Sequence, residues 1–175
     1  KYPWHILDVW KTIFGNTEIM IKKSAEIAES ATIKGNVVIE DGVRIFENAV
    51  ISGPCYIGKN TIIANNALVR DSHIGGNCVI GFSTEVARSY LADHVWTHSN
   101  YIGDSVILNN VSFGAGCATG NLRLDDGNVF VNIKGEKTDS GKNKLGLICG
   151  ENVRAGVNTS FMPGVKVGNN SFVGA

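Results

Sequence analysis

The sequence predicts an all-β fold, a parallel β-helix of hexapeptide repeats with a short N-terminal α-helix and one inserted loop. Aliphatic residues recur every six positions: Ile21, Ile27, Ile33, Ile39, Ile45, Ile51, Ile57, Ile63 and Val69. Four places after each stands a second, mostly small residue: Ala25, Ala31, Val37, Val43, Ala49, Cys55, Thr61, Ala67 and His73. A six-residue period is typical of a parallel β-helix. A β-sandwich would show strand and turn signals every 8–12 residues instead.

Each hexapeptide is expected to form one short strand and a turn, with three hexapeptides in one roughly triangular coil. The aliphatic residue would point into the prism, and the residue four places later must be small enough to fit beside it. The 21 glycines suit tight corners that need a positive φ angle.

The repeat continues beyond Val69 but becomes less regular, because the spacing drops to five at several steps. Its aliphatic positions are then Ile74, Ile80, Val86, Leu91, Thr97, Ile102, Ile107, Phe113 and Thr119. Counted forward as before, the second positions include Cys78, Thr84, Tyr90, Val95, Tyr101, Val106, Val111 and Cys117. Irregularity in an otherwise regular scaffold indicates where function is expected.

Residues 120–144 break the repeat, and the six-residue period returns at Cys149. Long excursions from a solenoid are often functional loops. Within this insertion, residues 129–133 are expected to form one arm of a short hairpin.

Residues 1–18 do not follow the six-residue period. Apolar residues recur there at helical spacing after Pro3, namely Trp4, Leu7, Trp10, Ile13 and Phe14. Gly15 and Asn16 are expected to end this helix. One interpretation is that the helix caps the open end of the β-helix, which a solenoid requires.

Composition excludes several classes of function. Sixteen basic and sixteen acidic residues balance, which argues against a nucleic-acid partner. No apolar run is long enough to span a membrane, so we expect no membrane partner and a cytoplasmic location. Four cysteines, Cys55, Cys78, Cys117 and Cys149, fall on inward positions of the repeat and are expected to be free thiols in a reducing compartment.

The segment from His98 to Asp104 carries the sharpest functional signal. It is followed by Gly114-Ala115-Gly116, by Asn121-Leu122-Arg123 with Asp125 and Asp126, by Lys144-Leu145-Gly146 and by the segment from Val153 to Asn158. This set resembles the archaeal-type bifunctional N-acetylglucosamine-1-phosphate uridylyltransferase/glucosamine-1-phosphate acetyltransferase. The resemblance implies a left-handed β-helix and a homotrimer with acyl-CoA sites in clefts between subunits.

Tyr2-Pro3-Trp4 followed by Leu7 is similar to a junction in sugar-1-phosphate nucleotidylyltransferases. We therefore expect residues 1–18 to be a linker or capping helix that follows a nucleotidylyltransferase domain. Residues 19–175 would form the acyltransferase-like β-helix domain.

The resemblance implies acetyl transfer from acetyl-CoA to the amine of an amino-sugar 1-phosphate, with no metal in this domain. His98 would be the general base, and Asn121 would hydrogen-bond the acceptor or orient the base. Tyr101, Arg88 and Arg70 would bind the sugar phosphate. The coenzyme-A arm would be lined by Ala115, Gly116, Val157 and Ala175. A neutral imidazole suits the role of His98, because it can accept a proton near pH 7.

Two departures from the family pattern leave an alternative open. The archaeal-type pattern has lysines six and nine residues after the asparagine, where this chain has Gly127 and Phe130. The alternative is a non-catalytic β-helix that trimerises or regulates a nucleotidylyltransferase.

A metal site of the kind seen in γ-class carbonic anhydrases would have to use His73, His94 and His98. The spacing of these histidines does not match the ligand pattern of that family.

Overall fold

The six-residue period folds into a parallel β-solenoid, as the sequence predicts. The structure is a computed structural model that describes residues 1–14 and 18–174. Those residues form a 3-10 helix at Pro3–His5, an α-helix (α1) at Ile6–Phe14, and a series of short strands.

The first strands are β1 (Met20–Ile21), β2 (Glu26–Ile27), β3 (Thr32–Lys34), β4 (Val37–Ile39), β5 (Arg44–Ile45), β6 (Val50–Ser52), β7 (Cys55–Ile57), β8 (Ile62–Ile63), β9 (Leu68–Arg70), β10 (His73–Ile74), β11 (Val79–Ile80) and β12 (Glu85–Ala87). They continue as β13 (Tyr90–Leu91), β14 (Val95–Trp96), β15 (Tyr101–Gly103), β16 (Val106–Ile107), β17 (Val111–Phe113) and β18 (Ala118–Thr119). The last are β19 (Phe130–Ile133), β20 (Glu136–Asp139), β21 (Ile148–Cys149), β22 (Arg154–Ala155), β23 (Ser160–Phe161), β24 (Lys166–Val167) and β25 (Phe172–Val173).

Three parallel sheets form the faces of the solenoid. Face A stacks β1, β4, β7, β10, β13, β16, β21 and β24; face B stacks β2, β5, β8, β11, β14, β17, β22 and β25; face C stacks β3, β6, β9, β12, β15, β18 and β23. The chain runs from face A to B to C in each coil. We call the turns between the faces corners A–B, B–C and C–A.

The predicted aliphatic column fills the interior of the solenoid along most of its length. Ile39, Ile51, Ile57, Ile63 and Val69 are fully buried. The column is only partly buried in the first coil, since Ile27 and Ile33 are half-buried and the Ile21 residue is 43% exposed. Ile21 pairs in register with the fully buried Ile39 and so faces the same side of face A, but β1 is the edge strand of that face among the described residues and leaves the Ile21 side chain partly uncovered.

The prediction that the residue four places after each aliphatic residue faces inward is wrong wherever the next aliphatic residue follows after five positions instead of six. The inward residue is the one two places before the next aliphatic residue, and fully buried Ser72, Ser89 and Ser105 and nearly buried Asn100 take those places. His73, Tyr90, Tyr101 and Val106 therefore lie on the outside of the solenoid rather than beside the core. The reason is geometric. Alternate residues of a strand face opposite sides, so when a turn is one residue shorter, the residue four places after the aliphatic residue faces outward.

Residues with a left-handed backbone form the corners. At corner A–B they are Gly42, Asn60, Asn77, His94, Asn110, Asn152 and Asn170, with φ between 54° and 70°. The sequence predicts glycine at such positions, but asparagine occupies most of them at this corner. Asn and Asp are the residues other than Gly that adopt this conformation most readily.

Helix α1 packs against the side of the solenoid. Trp4 and Leu7 share a buried cluster with Val106 and Ile148 of face A, and the Trp10 ring contacts His73 edge-on at 5.3 Å. The interpretation of this helix as a cap on the open end is thus wrong.

The predicted apolar stripe of the helix is confirmed for Trp4, Leu7 and Trp10, whereas Ile13 is exposed. The predicted helix end at Gly15 and Asn16 lies outside the described residues. Within those residues, no helix is both long and apolar enough to cross a membrane.

The insertion leaves the solenoid after β18 and returns at β21. Its strands β19 and β20 pair in antiparallel register, Phe130 opposite Asp139 and Ile133 opposite Glu136, which confirms the predicted hairpin. Val129, Val131 and Leu145 are buried in the same cluster as Trp4 and Leu7. The insertion and the N-terminal helix therefore share one small hydrophobic core outside the solenoid.

Candidate functional site

His98 lies at corner B–C, between β14 and β15, and its side chain is exposed. Its backbone is held by Asn100, which is 3% exposed. The His98 N–H donates to Asn100 Oδ1 (2.5 Å). Asn100 Nδ2 in turn donates to the carbonyls of Gly114 (2.8 Å) and Cys117 (3.2 Å) in the next coil. A buried amide that is satisfied on both sides makes this turn rigid.

The residues predicted to line coenzyme A stack on the same corner. Ala115 and Gly116 lie one coil above His98, and Val157 lies in the coil above them. Backbone hydrogen bonds join the three turns, from Gly116 N–H to the His98 carbonyl (3.3 Å) and from Asn158 N–H to the Ala115 carbonyl (2.8 Å). Within the part of the chain that is described, the N–H of Ala115 has no acceptor. It is therefore free to donate to a ligand. Ala175 lies outside the described residues.

A second polar group lies at corner C–A. Arg88 makes a bidentate ion pair with Asp104, from Nε to Oδ1 (2.8 Å) and from Nη2 to Oδ2 (2.7 Å). Asn121 Nδ2 donates to Asp104 Oδ2 (2.5 Å) and to Tyr101 Oη (3.2 Å). The hydrogen bonds that Arg88 donates to Asp104 are the main cause that raises the pKa of Arg88. Asp104 therefore links Arg88 and Asn121 directly, and Tyr101 joins them through Asn121.

Two backbone features make this arrangement possible. Arg88 and Asp104 occupy equivalent corner positions in consecutive coils, each with φ of 49°. A Cβ atom at Gly103 would lie 2.5 Å from Tyr101 Oη and 2.9 Å from Asn121 Nδ2. Only glycine at this position lets the tyrosine lie along face C and reach the asparagine.

Arg70 lies on face C, one coil before Arg88. Its guanidinium contacts Glu85 Oε1 through Nε (3.0 Å) and Nη2 (2.6 Å). Both side chains are about one-third exposed. Arg70 therefore does not join the Arg88–Asp104 pair but lies on face C, one coil before it.

The structure thus separates the predicted site residues of one chain into two groups. His98, Ala115, Gly116 and Val157 share corner B–C, whereas Arg88 and Asn121 lie at corner C–A. The three residues of β15 lie between them, a distance on the order of 10 Å at about 3.3 Å per residue. His98 and Asn121 are therefore not brought together within one chain.

The sequence prediction does not include two polar features of the structure. The first is Asp104, although an acidic residue 16 positions after Arg88 at a repeat corner is a usable signal. A groove of about 430 Å³ opens beside the Arg88–Asp104 pair. Its lining residues are Leu7, Asp8, Lys11, Arg88, Asp104, Gly141, Lys142, Asn143 and Lys144. Nothing in the linear sequence indicates that helix α1 meets the insertion there.

The three histidines considered as metal ligands lie in different places. His73 is on face A between Tyr56 and Tyr90, His94 is at corner A–B and His98 is at corner B–C. In the described ranges, no three His, Cys, Asp or Glu residues form a group that could hold a metal ion. One chain therefore does not bring the three histidines together.

The four cysteines are free and buried, as predicted. Burial raises the pKa of the Cys55 thiol to about 12, that of Cys78 to about 11 and that of Cys149 to about 12. A buried protonated thiol is a poor nucleophile. The cysteines therefore belong to the core rather than to a reactive site.

A parallel solenoid with this period and these corners is a hexapeptide-repeat β-solenoid domain. The chain belongs to the family of the GMPPB C-terminal domain, whose model matches residues 15–114.

Two curated relatives extend this likeness to nearly the whole chain. The bifunctional protein GlmU of Methanococcus vannielii is 40% identical over 185 residues, which cover 99% of this chain and 42% of that protein. The bifunctional sugar-1-phosphate nucleotidylyltransferase/acetyltransferase of Sulfurisphaera tokodaii is 40% identical over 168 residues, which cover 95% of this chain and 42% of that protein. The chain therefore spans less than half the length of these relatives.

Among solved structures, GDP-perosamine N-acetyltransferase from Caulobacter crescentus in complex with CoA and GDP-perosamine aligns with a TM-score of 0.45. The identity is 18%, and the alignment covers 65% of this chain and 54% of that chain. A likeness of this degree carries no information about the substrate.

Proposed function

We propose that this chain is the acetyltransferase domain of a bifunctional sugar-1-phosphate nucleotidylyltransferase. It would transfer the acetyl group of acetyl-CoA to the amine of an amino-sugar 1-phosphate. The observation that carries the proposal is corner B–C, where the exposed His98 ring lies one coil from the free N–H of Ala115. The Sulfurisphaera tokodaii relative, a bifunctional sugar-1-phosphate nucleotidylyltransferase/acetyltransferase, supports the same reaction class.

In this reaction, the amine nitrogen attacks the thioester carbonyl carbon while a neutral His98 takes a proton from the amine. The carbonyl oxygen gains negative charge, and the N–H of Ala115 would donate to it. The carbon–sulfur bond then breaks and coenzyme A leaves as the thiol, to which His98 returns the proton. Val157 and Gly116, on the same corner, would contact the coenzyme-A arm.

The acceptor sugar would be held by the group at corner C–A, through Tyr101 and Asn121, with Arg88 and Arg70 nearby. Since one chain keeps this group away from His98, we propose that the site is completed between subunits of a homotrimer. His98 would then face the Tyr101–Asn121 group of a neighbouring copy. Three solenoids packed side by side would form such clefts.

A second candidate function is a non-catalytic domain that trimerises or regulates a nucleotidylyltransferase. Two observations favour it. The His98 ring makes no hydrogen bond to any described residue, so nothing within one chain orients it as a base. Phe130, where the related pattern has lysine, contacts the guanidinium of Arg123 at 5.9 Å and supplies no charge.

The test is a thiol-release assay with acetyl-CoA and a panel of amino-sugar 1-phosphates. Replacing His98 by Asn should lower turnover roughly 10²–10⁴-fold, which is the usual contribution of a positioned acid–base group. The matched control is His94→Asn, because His94 is also an exposed corner histidine but lies at corner A–B. The control should keep the turnover of the unchanged chain.

Full turnover in a folded His98→Asn variant would exclude His98 as the base. If no acceptor in the panel releases thiol while light scattering gives the mass of three chains, the non-catalytic function is favoured. A mass of one chain at micromolar concentration would contradict the trimer.

A further inference from the structure

The groove between helix α1 and the insertion has an excess of positive charge at its wall. Four cationic side chains line it, Lys11, Arg88, Lys142 and Lys144, against two carboxylates. Both carboxylates are already paired. Asp104 pairs with Arg88, and Asp8 pairs with Lys142 Nζ (2.5 Å).

The ammonium groups of Lys11 and Lys144 are the two charges left over. Across residues 1–14 and 18–174, neither makes an ion pair, and both side chains are exposed. The other charged groups of the groove are paired with each other. The two unpaired ammonium groups therefore match the charge of a phosphate monoester, which carries close to two negative charges near neutral pH. A volume of about 430 Å³ suits a small phosphorylated molecule.

The backbone places Lys144 next to the acceptor group at corner C–A. Lys144 forms an antiparallel bridge with Leu122, and the N–H of the following residue, Leu145, donates to the Asn121 carbonyl (2.9 Å). Leu145 is fully buried, which fixes this part of the insertion. Asn121 also hydrogen-bonds Asp104, which forms part of the groove. The groove and the acceptor group are thus continuous.

We propose that this groove binds the phosphate group of the acceptor, with Lys11 and Lys144 as its charged ligands. These lysines would supply the positive charge that is missing at Gly127 and Phe130. The inference rests on the proposed function for the identity of the sugar. The binding of the phosphate itself is measured without acetyl transfer.

The experiment is calorimetric titration of the chain, without acetyl-CoA, by glucosamine 1-phosphate, by glucosamine and by inorganic phosphate. Lys11→Gln and Lys144→Gln should each weaken binding of the sugar phosphate about tenfold, because each removes one positive charge of the protein that would attract the phosphate. Binding of glucosamine should not change, and inorganic phosphate should compete with the sugar phosphate. The matched control is Lys59→Gln, an exposed lysine outside the groove. Melting temperatures check that each variant is folded.

Equal affinity for glucosamine 1-phosphate in the unchanged chain and in the Lys11→Gln/Lys144→Gln double variant would overturn the inference, and so would the absence of binding to the unchanged chain. If thiol release proceeds normally but the lysine variants bind unchanged, only the phosphate site is wrong. If the variants weaken binding but the chain releases no thiol with any acceptor, the phosphate site stands and the proposed transferase function fails.

Discussion

At the scale of single residues, Asp104 is the most connected charged side chain of the candidate site. Its carboxylate accepts from Arg88 through both oxygens and from Asn121, and its side chain is 10% exposed. Removal of the charge would leave the guanidinium of Arg88 without its partner in a partly buried position. Breaking such a pair costs more than losing an exposed one.

We therefore expect Asp104→Asn to lower the free energy of unfolding by about 1–3 kcal/mol, measured by urea denaturation. The matched control is Asp126→Asn, since Asp126 also has a left-handed backbone but is exposed and outside this network. It should change stability by less than about 0.5 kcal/mol. Equal unfolding midpoints for the two variants would contradict the structural role of Asp104.

At the scale of elements, helix α1 is attached to face A through a column of aromatic rings. His73 stacks between Tyr56 (5.0 Å) and Tyr90 (4.4 Å), and Trp10 of the helix meets it edge-on. Burial lowers the pKa of His73 below its ordinary value of 6.5, although the hydrogen bond to the Leu91 carbonyl and the charge of Asp93 oppose this. The folded protein thus favours the neutral ring.

This shift predicts how stability depends on pH. Because the folded-state pKa is lowered, the contribution of His73 is fully present above pH 6.5 and is lost as the pH falls through the lower folded value. We expect the melting temperature to drop less between pH 7.5 and pH 5 in His73→Phe, which keeps a stacked ring but cannot be protonated. His94→Asn, which removes an exposed histidine, should keep the drop of the unchanged chain. If the melting temperature falls equally in both variants, His73 does not contribute to the pH dependence of stability.

At the scale of the whole molecule, burial is unequal along the solenoid. Ile63 lies on face B in the middle of the stack and is fully buried, whereas Ile21 occupies the same hexapeptide position on face A of the first coil and is 43% exposed. In a repeat structure each coil is stabilised chiefly by its neighbours. The same residue type at the same repeat position should therefore contribute different amounts.

Ile63→Ala should lower the free energy of unfolding by about 2–5 kcal/mol, and Ile21→Ala by less than about 1 kcal/mol. Both values are measured by chemical denaturation at one protein concentration. The two variants remove the same atoms and serve as controls for each other. Equal losses would mean that β1 is covered in solution by another part of the protein.

The amino-acid sequence alone predicts the solenoid, because a side chain that faces a narrow prism every six residues produces a six-residue period. It also predicts the inserted hairpin, since that period stops at residue 120, and it indicates His98, Tyr101 and Asn121 through their resemblance to a known pattern. The face that helix α1 covers is known only from the tertiary structure, because Trp4 and Trp10 satisfy an amphipathic pattern wherever they are buried.

The tertiary structure also separated His98 from Asn121 and placed Lys11 and Lys144 along the same groove. Residues far apart in the chain meet through coil stacking and through the packing of the insertion, and neither leaves a local signal. The five-residue steps show the same limit. Because these turns are one residue shorter, His73 and Tyr101 lie on the outer surface. His73 there contacts Trp10 of helix α1, and Tyr101 belongs to the candidate site.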